Sequence, residues 1–404
     1  MAANHIRPGA TARAIQPPAN HWAWPEGAET QVLRVGDTVY VGGQVSLSSK
    51  GALRDAANIE GQTANVFSDL VSLLGAAGAT MKDLVKLHTY YVFEGEGRDV
   101  TDYWERMTQV RLRYLADPGP AATALRVDGA PVPSALIAID GIAAVGTPKQ
   151  RIMPKHTWDW SIPTPFSQGW KAGGKVYVGG QISADMAGKA LAVDDAAQQT
   201  RNVLELIRHV LLDGGAGWDD VVTLRICYQH ADEKSGAALR AQIMGIVAEV
   251  LPQPGPAITA FGGDLLYEGL LLEIDALAVR GGARRAIGAA KVPTPSGGPA
   301  AWKVGPEIYF CVGGTTAGGV EDQLADALGA IRAVLDQAGA APENLVKLTA
   351  FYTADDDADA LARAIRLGIR AAFAAPVLTL VQVAALPGAG QRLQIDGICI
   401  QPEA

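Results

Sequence analysis

The chain has 404 residues, 49% of them hydrophobic and 19% charged, with a net charge of −8. That length suits two or three domains with well-filled cores. The negative balance, with no run of lysine or arginine, argues against a nucleic-acid partner, and apolar runs of about ten residues are too short to span a bilayer.

Residues 1–20, "MAANHIRPGATARAIQPPAN", lack a charged start followed by an apolar core, so they read as a flexible arm rather than a signal peptide. The first strong element is the strand word "VYVGGQ" at 39–44. An amphipathic helix over 59–78 follows, with Val66, Leu70, Leu73 and Leu74 at helical spacing and a glycine at its end. Next come "MKDLVKLHTYYV" (81–92), a strand by its β-branched and aromatic alternation, then a second helix. "PAATALRV" (120–127) and "LIAIDGIAAV" (136–145) close the unit as strands. The whole series then recurs. The word returns at 176–181, and its helix, strand and closing strands at 195–215, 218–229, 256–263 and 271–279. An altered word, "FCVGGT", appears at 310–315, followed by the same elements at 320–340, 342–353, 376–383 and 393–400.

A repeat this long is a domain, not a solenoid unit. The predicted fold is α+β, three tandem β-β-α-β-α-β-β units over 21–148, 155–282 and 288–404, joined by linkers at 146–156 and 280–288. Three homologous units in one chain predict a pseudo-trimeric ring with sheets inside and helices outside. The only cysteines, Cys227, Cys311 and Cys399, are far apart in apolar runs, with no metal-ligand spacing. They read as reduced thiols of a cytoplasmic protein.

The segments "GDTVYVGGQV", Gln62-Thr63, "DLVKLHTYYV" and the Pro-Ala strand resemble the Rid/YjgF family, and "PTPFSQGWKAGGKVYVGGQI" (163–182) is similar to that family's opening signature. The resemblance covers nearly the whole chain from about residue 25, three times over. It implies the chorismate-mutase-like fold, ligand clefts between neighbouring units, and hydrolysis of reactive imines and enamines to ketones and ammonia. It also implies a site: a carboxylate-gripping arginine after the Pro-Ala pair, a water-placing glutamate on the last strand, and a tyrosine at the cleft. This chain departs from that set. Ala122, Ile258 and Leu378 replace the arginine, Phe166 matches the tyrosine, and the glutamate survives only as Glu273, against Ala138 and Gln394.

Strand alternation adds candidates. Val85/Val222/Val346 and Leu87/Leu224/Leu348 should face the helices, and the opposite parity turns His88 and Arg225 toward the neighbouring unit. Asp140, Asp275 and Asp396 recur at equivalent places, which favours a structural role such as holding backbone donors at the ring axis. Glu273 and His88 are the candidate catalytic residues. Arg225, Arg126, Phe166, Gly179, Gly180 and Gln181 are the candidate substrate-binding residues, the glycines through close backbone approach and N–H groups aimed at an oxyanion. No serine-hydrolase elbow, phosphate loop or metal cluster occurs, so no cofactor or metal is expected. The sequence therefore points to a metal-independent hydrolase or deaminase of a small nitrogen-containing metabolite (imine, enamine or cyclic amide). The alternatives are a non-catalytic ligand- or partner-binding protein on the same ring, and a specialised hydrolase or lyase of a cyclic acid. A small-molecule substrate is the expected partner, and the assembly is a monomeric pseudotrimer or a dimer of pseudotrimers.

Overall fold

A computed structural model describes residues 12–24, 29–155, 157–160, 162–288, 298–314, 318–354, 357–373 and 376–402. Residues 1–11 of the expected arm, 289–297 at the opening of the third unit and Thr315 of its altered word lie outside the described residues.

The first repeat runs β1 (Arg13–Ala14), β2 (Val32–Val35), β3 (Thr38–Val45), α1 (Ile59–Ala76), β4 (Leu84–Tyr91), α2 (Arg98–Arg111), β5 (Ala121–Arg126) and β6 (Ile137–Ala144). The second runs β7 (Lys149–Ile152), β8 (Gly169–Ala172), β9 (Lys175–Ile182), α3 (Ala196–Asp213), β10 (Val221–Gln229), α4 (Glu233–Val250), β11 (Ala257–Gly263) and β12 (Leu272–Val279). The third runs β13 (Arg284–Ile287), β14 (Ala301–Val304), β15 (Glu307–Gly313), α5 (Val320–Ala338), β16 (Leu345–Tyr352), α6 (Ala358–Ala372), β17 (Val377–Gln382) and β18 (Leu393–Ile400).

Each repeat forms one six-stranded sheet, in the first ordered β1-β2-β3-β6-β4-β5 and equivalently in the others. Only the last pair of each sheet, β4 with β5 and its counterparts, is parallel, and each such pair is joined by a helix, as a parallel connection requires. The outermost strands β1, β7 and β13 come from segments expected to be a flexible arm and linkers. They are short and rich in Arg and Lys, a composition that suits a sheet edge and hid them from a pattern search for apolar alternation.

The long helices follow from local sequence. Asn58, Asp195 and Asp357 accept from backbone N–H groups in the first turns of α1, α3 and α6. The apolar stripe Val66, Phe67, Leu70, Leu73 and Leu74 of α1 is buried against the sheet. Helices therefore cover one face of every sheet, and the other faces pack on one another around a pseudo-threefold axis.

The ring closes because the parallel edge strand of each repeat lies on the glycine strand of the next: β5 on β9, β11 on β15 and β17 on β3. A Cβ at Gly179 would stand 2.9 Å from the Ala122 carbonyl oxygen, and one at Gly42 2.8 Å from that of Leu378, so glycine is required for this approach. One expectation of side-chain direction is corrected here. A register shift between Leu84 and Lys86 in β4, repeated at the start of β10 and β16, breaks the alternation. Val85, Val222 and Val346 consequently join the apolar clusters between sheets, while Leu87, Leu224 and Leu348 face the helices as expected.

Candidate active site

Two polar regions lie inside the ring. The first is a layer on the axis between apolar plugs. Val85 and Val346 lie on one side of it, and Tyr90, Cys227, Phe261 and Phe351 on the other. Each last-strand aspartate accepts a hydrogen bond from a threonine of the preceding repeat: Asp140 from Thr379 (2.9 Å), Asp275 from Thr123 (2.9 Å) and Asp396 from Thr259 (3.0 Å). Each also meets a cation of that repeat: Lys347 at 3.2 Å, Lys86 at 3.1 Å and Arg225 at 2.8 Å. The second repeat has Thr223 where the others carry lysine, and Arg225, two residues on and on the same face, supplies the missing charge. His88 ties two of these units together, with Nδ1 2.9 Å from Asp140 and Nε2 3.2 Å from Asp275. Burial works to raise the Asp140 and Asp275 carboxyls. The neighbouring lysines and His88 outweigh it and hold both well below the usual carboxylate range. The aspartates thus bind side-chain donors across the repeat boundaries, not the backbone donors expected from sequence. A cavity of about 70 Å³ beside this layer is lined by Lys86, His88, Arg225, Lys347 and Asp396.

The second region is the cleft between repeats 1 and 2. Glu273 sits on β12 opposite Cys227 of β10, and is 6% exposed. A Cβ at Gly180 would collide with its carboxylate, so that glycine makes room for the acid. The Ala124 N–H of β5 donates to it. Burial, joined by the charge of Asp275, pushes the carboxyl up to about 8 against the pull of Lys86. Near neutral pH the group is a buried carboxylic acid, able both to give a proton and, once emptied, to take one. The other clefts lack this acid. Ala138 packs among Trp22, Val45 and Leu47, and the Gln394 amide donates to Cys311 Sγ at 3.1 Å.

Aromatic side chains close the cleft. Trp158 and Trp160 meet edge to face, Trp158 stacks on Phe166, and Trp160 stacks on Trp104 of α2 with centroids 4.7 Å apart. Gln181 braces this segment from below, donating to Gln168 Oε1 (2.7 Å) and accepting from Trp158 Nε1 (3.3 Å).

The structure thus brings Glu273, Phe166, Gly179, Gly180 and Gln181 to one cleft and places His88 and Arg225 in the axial layer with their partners engaged. Gly179 N–H donates to the Gln168 carbonyl, so it is not free to hold an oxyanion as expected. Arg126 lies at the rim, donating to the Phe93 carbonyl (2.7 Å) and lying 3.4 Å from Asp264. Sequence reasoning missed Tyr91 and Arg111. Tyr91, whose hydroxyl has no hydrogen-bond partner among the described residues, has its pKa pushed up by burial first and by the charge of nearby Glu273 next. Arg111 is 4% exposed at the end of α2. A helix that ends in arginine reads as a favourable pairing with the helix dipole, so burial was the only available signal for it, and burial requires the fold. Among the described residues no group of three or more His, Cys, Asp or Glu is arranged to hold a metal ion, and no helix is long and apolar enough to cross a membrane.

A family model matched three times along the chain agrees with the threefold repeat. The family model described as Endoribonuclease L-PSP matches three times, at residues 24–145, 161–280 and 312–401. The 3-aminoacrylate deaminase RutC of Acinetobacter baylyi is 33% identical over 132 residues, 32% of this chain and 98% of that protein. RidA of an Antarctic Psychrobacter is 24% identical, covering 33% of this chain and 99% of its own, at a TM-score of 0.28. A chorismatase crystal structure, 15% identical, covers 79% of this chain and 93% of its own at a TM-score of 0.49. The chain belongs to the Endoribonuclease L-PSP family, the Rid/YjgF group whose signature its sequence carries three times.

Proposed function

We propose that the protein is a deaminase-type hydrolase of a small imine or enamine, working in the cleft between repeats 1 and 2 with Glu273 as its acid–base group. The observation that carries this reading is the buried Glu273 carboxyl, seated against Gly180 and held near pH 8, at a position where the described residues of the other two clefts have Ala138 and Gln394. The chain's likeness to a relative named 3-aminoacrylate deaminase supports it.

The chemistry balances on one carboxyl. Protonated Glu273 gives its proton to the imine nitrogen as water adds to the carbon, and the carboxylate takes a proton from that water. The carbinolamine then collapses: its nitrogen takes the proton back and leaves as ammonia, and its hydroxyl proton returns to the carboxylate as the carbonyl forms. Tyr91 and the aromatic wall keep bulk water from the acid, which maintains the raised pKa on which the first step depends.

The test is ammonia release and ultraviolet change over a panel of imines, enamines and cyclic amides, each run beside Glu273→Gln. Turnover of an imine or enamine that is lost in the variant supports the proposal. Turnover that survives it places the chemistry elsewhere. A folded protein with no turnover across the panel favours a ligand-binding protein on the same ring.

A further inference from the structure

The clefts between repeats 1 and 2 and between repeats 3 and 1 are built from matching parts, which makes one difference informative. Trp22 and Trp24 meet edge to face, as Trp158 and Trp160 do. Gln31 donates to the Trp22 carbonyl at 2.7 Å, and Gln168 to that of Trp158 at 2.7 Å. The two segments are therefore counterparts, each laid over its cleft against the second helix of the preceding repeat. Both helices bury an arginine there. In the cleft between repeats 3 and 1, Arg366 of α6 lies over Trp24, 4.0 Å from the ring centroid, with Glu29 of the overlying segment 3.3 Å away. That cleft holds its own carboxylate.

In the cleft between repeats 1 and 2 the counterpart segment has no carboxylate at this place, and Pro165 and Phe166 stand there. Arg111 of α2 donates only to the Pro165 carbonyl, at 3.3 Å, and its Nε has no partner among the described residues. Burial alone pulls its pKa down, to about 10, with no carboxylate near enough to offset it. Two further buried donors on this seam, Trp104 Nε1 and Trp160 Nε1, are also unpartnered among the described residues. A guanidinium and two indole N–H groups donate and cannot accept. Leaving such a set buried and unmade is costly, and most costly for the charge.

We infer that the cleft between repeats 1 and 2 takes a small anion at Arg111, whereas the cleft between repeats 3 and 1 is closed to such a ligand by the chain's own Glu29. The inference rests on the reading of the first cleft as the working one. It adds that the ligand carries a carboxylate or similar oxyanion, held from a helix rather than from the Pro-Ala strand.

Tryptophan emission reports on this seam. The probes are formate, acetate, pyruvate, phosphate and sulfate, with methyl pyruvate as the uncharged control, titrated into the whole protein, Arg111→Met, Arg111→Lys and Glu273→Gln. At least one anion should give a saturable change and bind about 10-fold or more tightly than methyl pyruvate. Arg111→Met should lose that preference, Arg111→Lys should keep part of it, and Glu273→Gln should keep it. The unliganded Arg111→Met protein should melt no lower than the parent, because an unpaired buried charge is gone. No saturable change below about 10 mM with any anion overturns the inference. So does a preference that survives Arg111→Met, or an Arg111→Met protein that melts far below the parent, which makes the arginine structural. Anion binding that depends on Arg111 while Glu273→Gln retains turnover leaves this inference standing and overturns the proposed mechanism, and the reverse pattern does the opposite.

Discussion

The axis and the clefts share strands, yet they are assembled on opposite rules. On the axis every repeat contributes the same aspartate and threonine, and where one repeat lost its lysine an arginine two residues away restored the charge. That layer is nearly symmetric and its carboxylates are fully engaged. The clefts keep the glycines of the repeated word but differ at the facing last-strand position, which is Glu273 in one and Ala138 or Gln394 in the others. Symmetry preserved around an axis fits a structural duty shared by all three repeats. Symmetry broken at the clefts fits a duty that only one of them performs.

The comparison can be broken from either side. The largest effect should follow Asp140→Asn. This fully buried carboxylate answers Lys347, His88 and Thr379 together. Removing its charge leaves buried Lys347 without its counter-ion and should cost about 3–5 kcal/mol in urea unfolding. A loss under about 1 kcal/mol would show the layer to be dispensable.

Glu273 should behave in the opposite sense. Its folded pKa, about 8, lies above its unfolded value. Its contribution is therefore fully present below about pH 4.5 and lost as pH rises through 8. Glu273→Gln should gain on the parent by roughly 2–4 kcal/mol between pH 4.5 and 9 in unfolding titrations. A constant difference over that range would mean the carboxyl is not held neutral.

His88→Gln should lower stability by about 1–3 kcal/mol through two lost hydrogen bonds, while turnover per folded molecule should stay within about threefold if the proposed acid–base group is Glu273. A hundredfold loss of turnover in folded His88→Gln would move the chemistry to the axis. The smallest effect belongs to Arg126→Gln. Its partner Asp264 is half-exposed, and the change should stay below about 1 kcal/mol.

The fold was legible because the repeat supplied three readings of each element, and an element that recurs at matching offsets is hard to mistake. The edge strands β1, β7 and β13 escaped because they have four or fewer residues each, half of them charged, and owe their shape to pairing rather than to an apolar face. Glu273 was legible as an acid present in one copy only. The role of Arg225 was not, because it depends on Thr223 having replaced a lysine and on Asp396 arriving from the next repeat. Arg111 and Tyr91 were invisible for a related reason: a buried donor without a partner is a property of the assembled interface, and no local pattern marks it.

We propose that one cleft works and that its acid is Glu273. The most direct measurement is kcat/KM for ammonia release from an enamine acid, taken for Glu273→Gln and for Gln394→Ala at matched folded fraction. The account predicts a loss of about 100-fold or more in the first and no more than about twofold in the second. Equal losses, or a larger loss in Gln394→Ala, would contradict it.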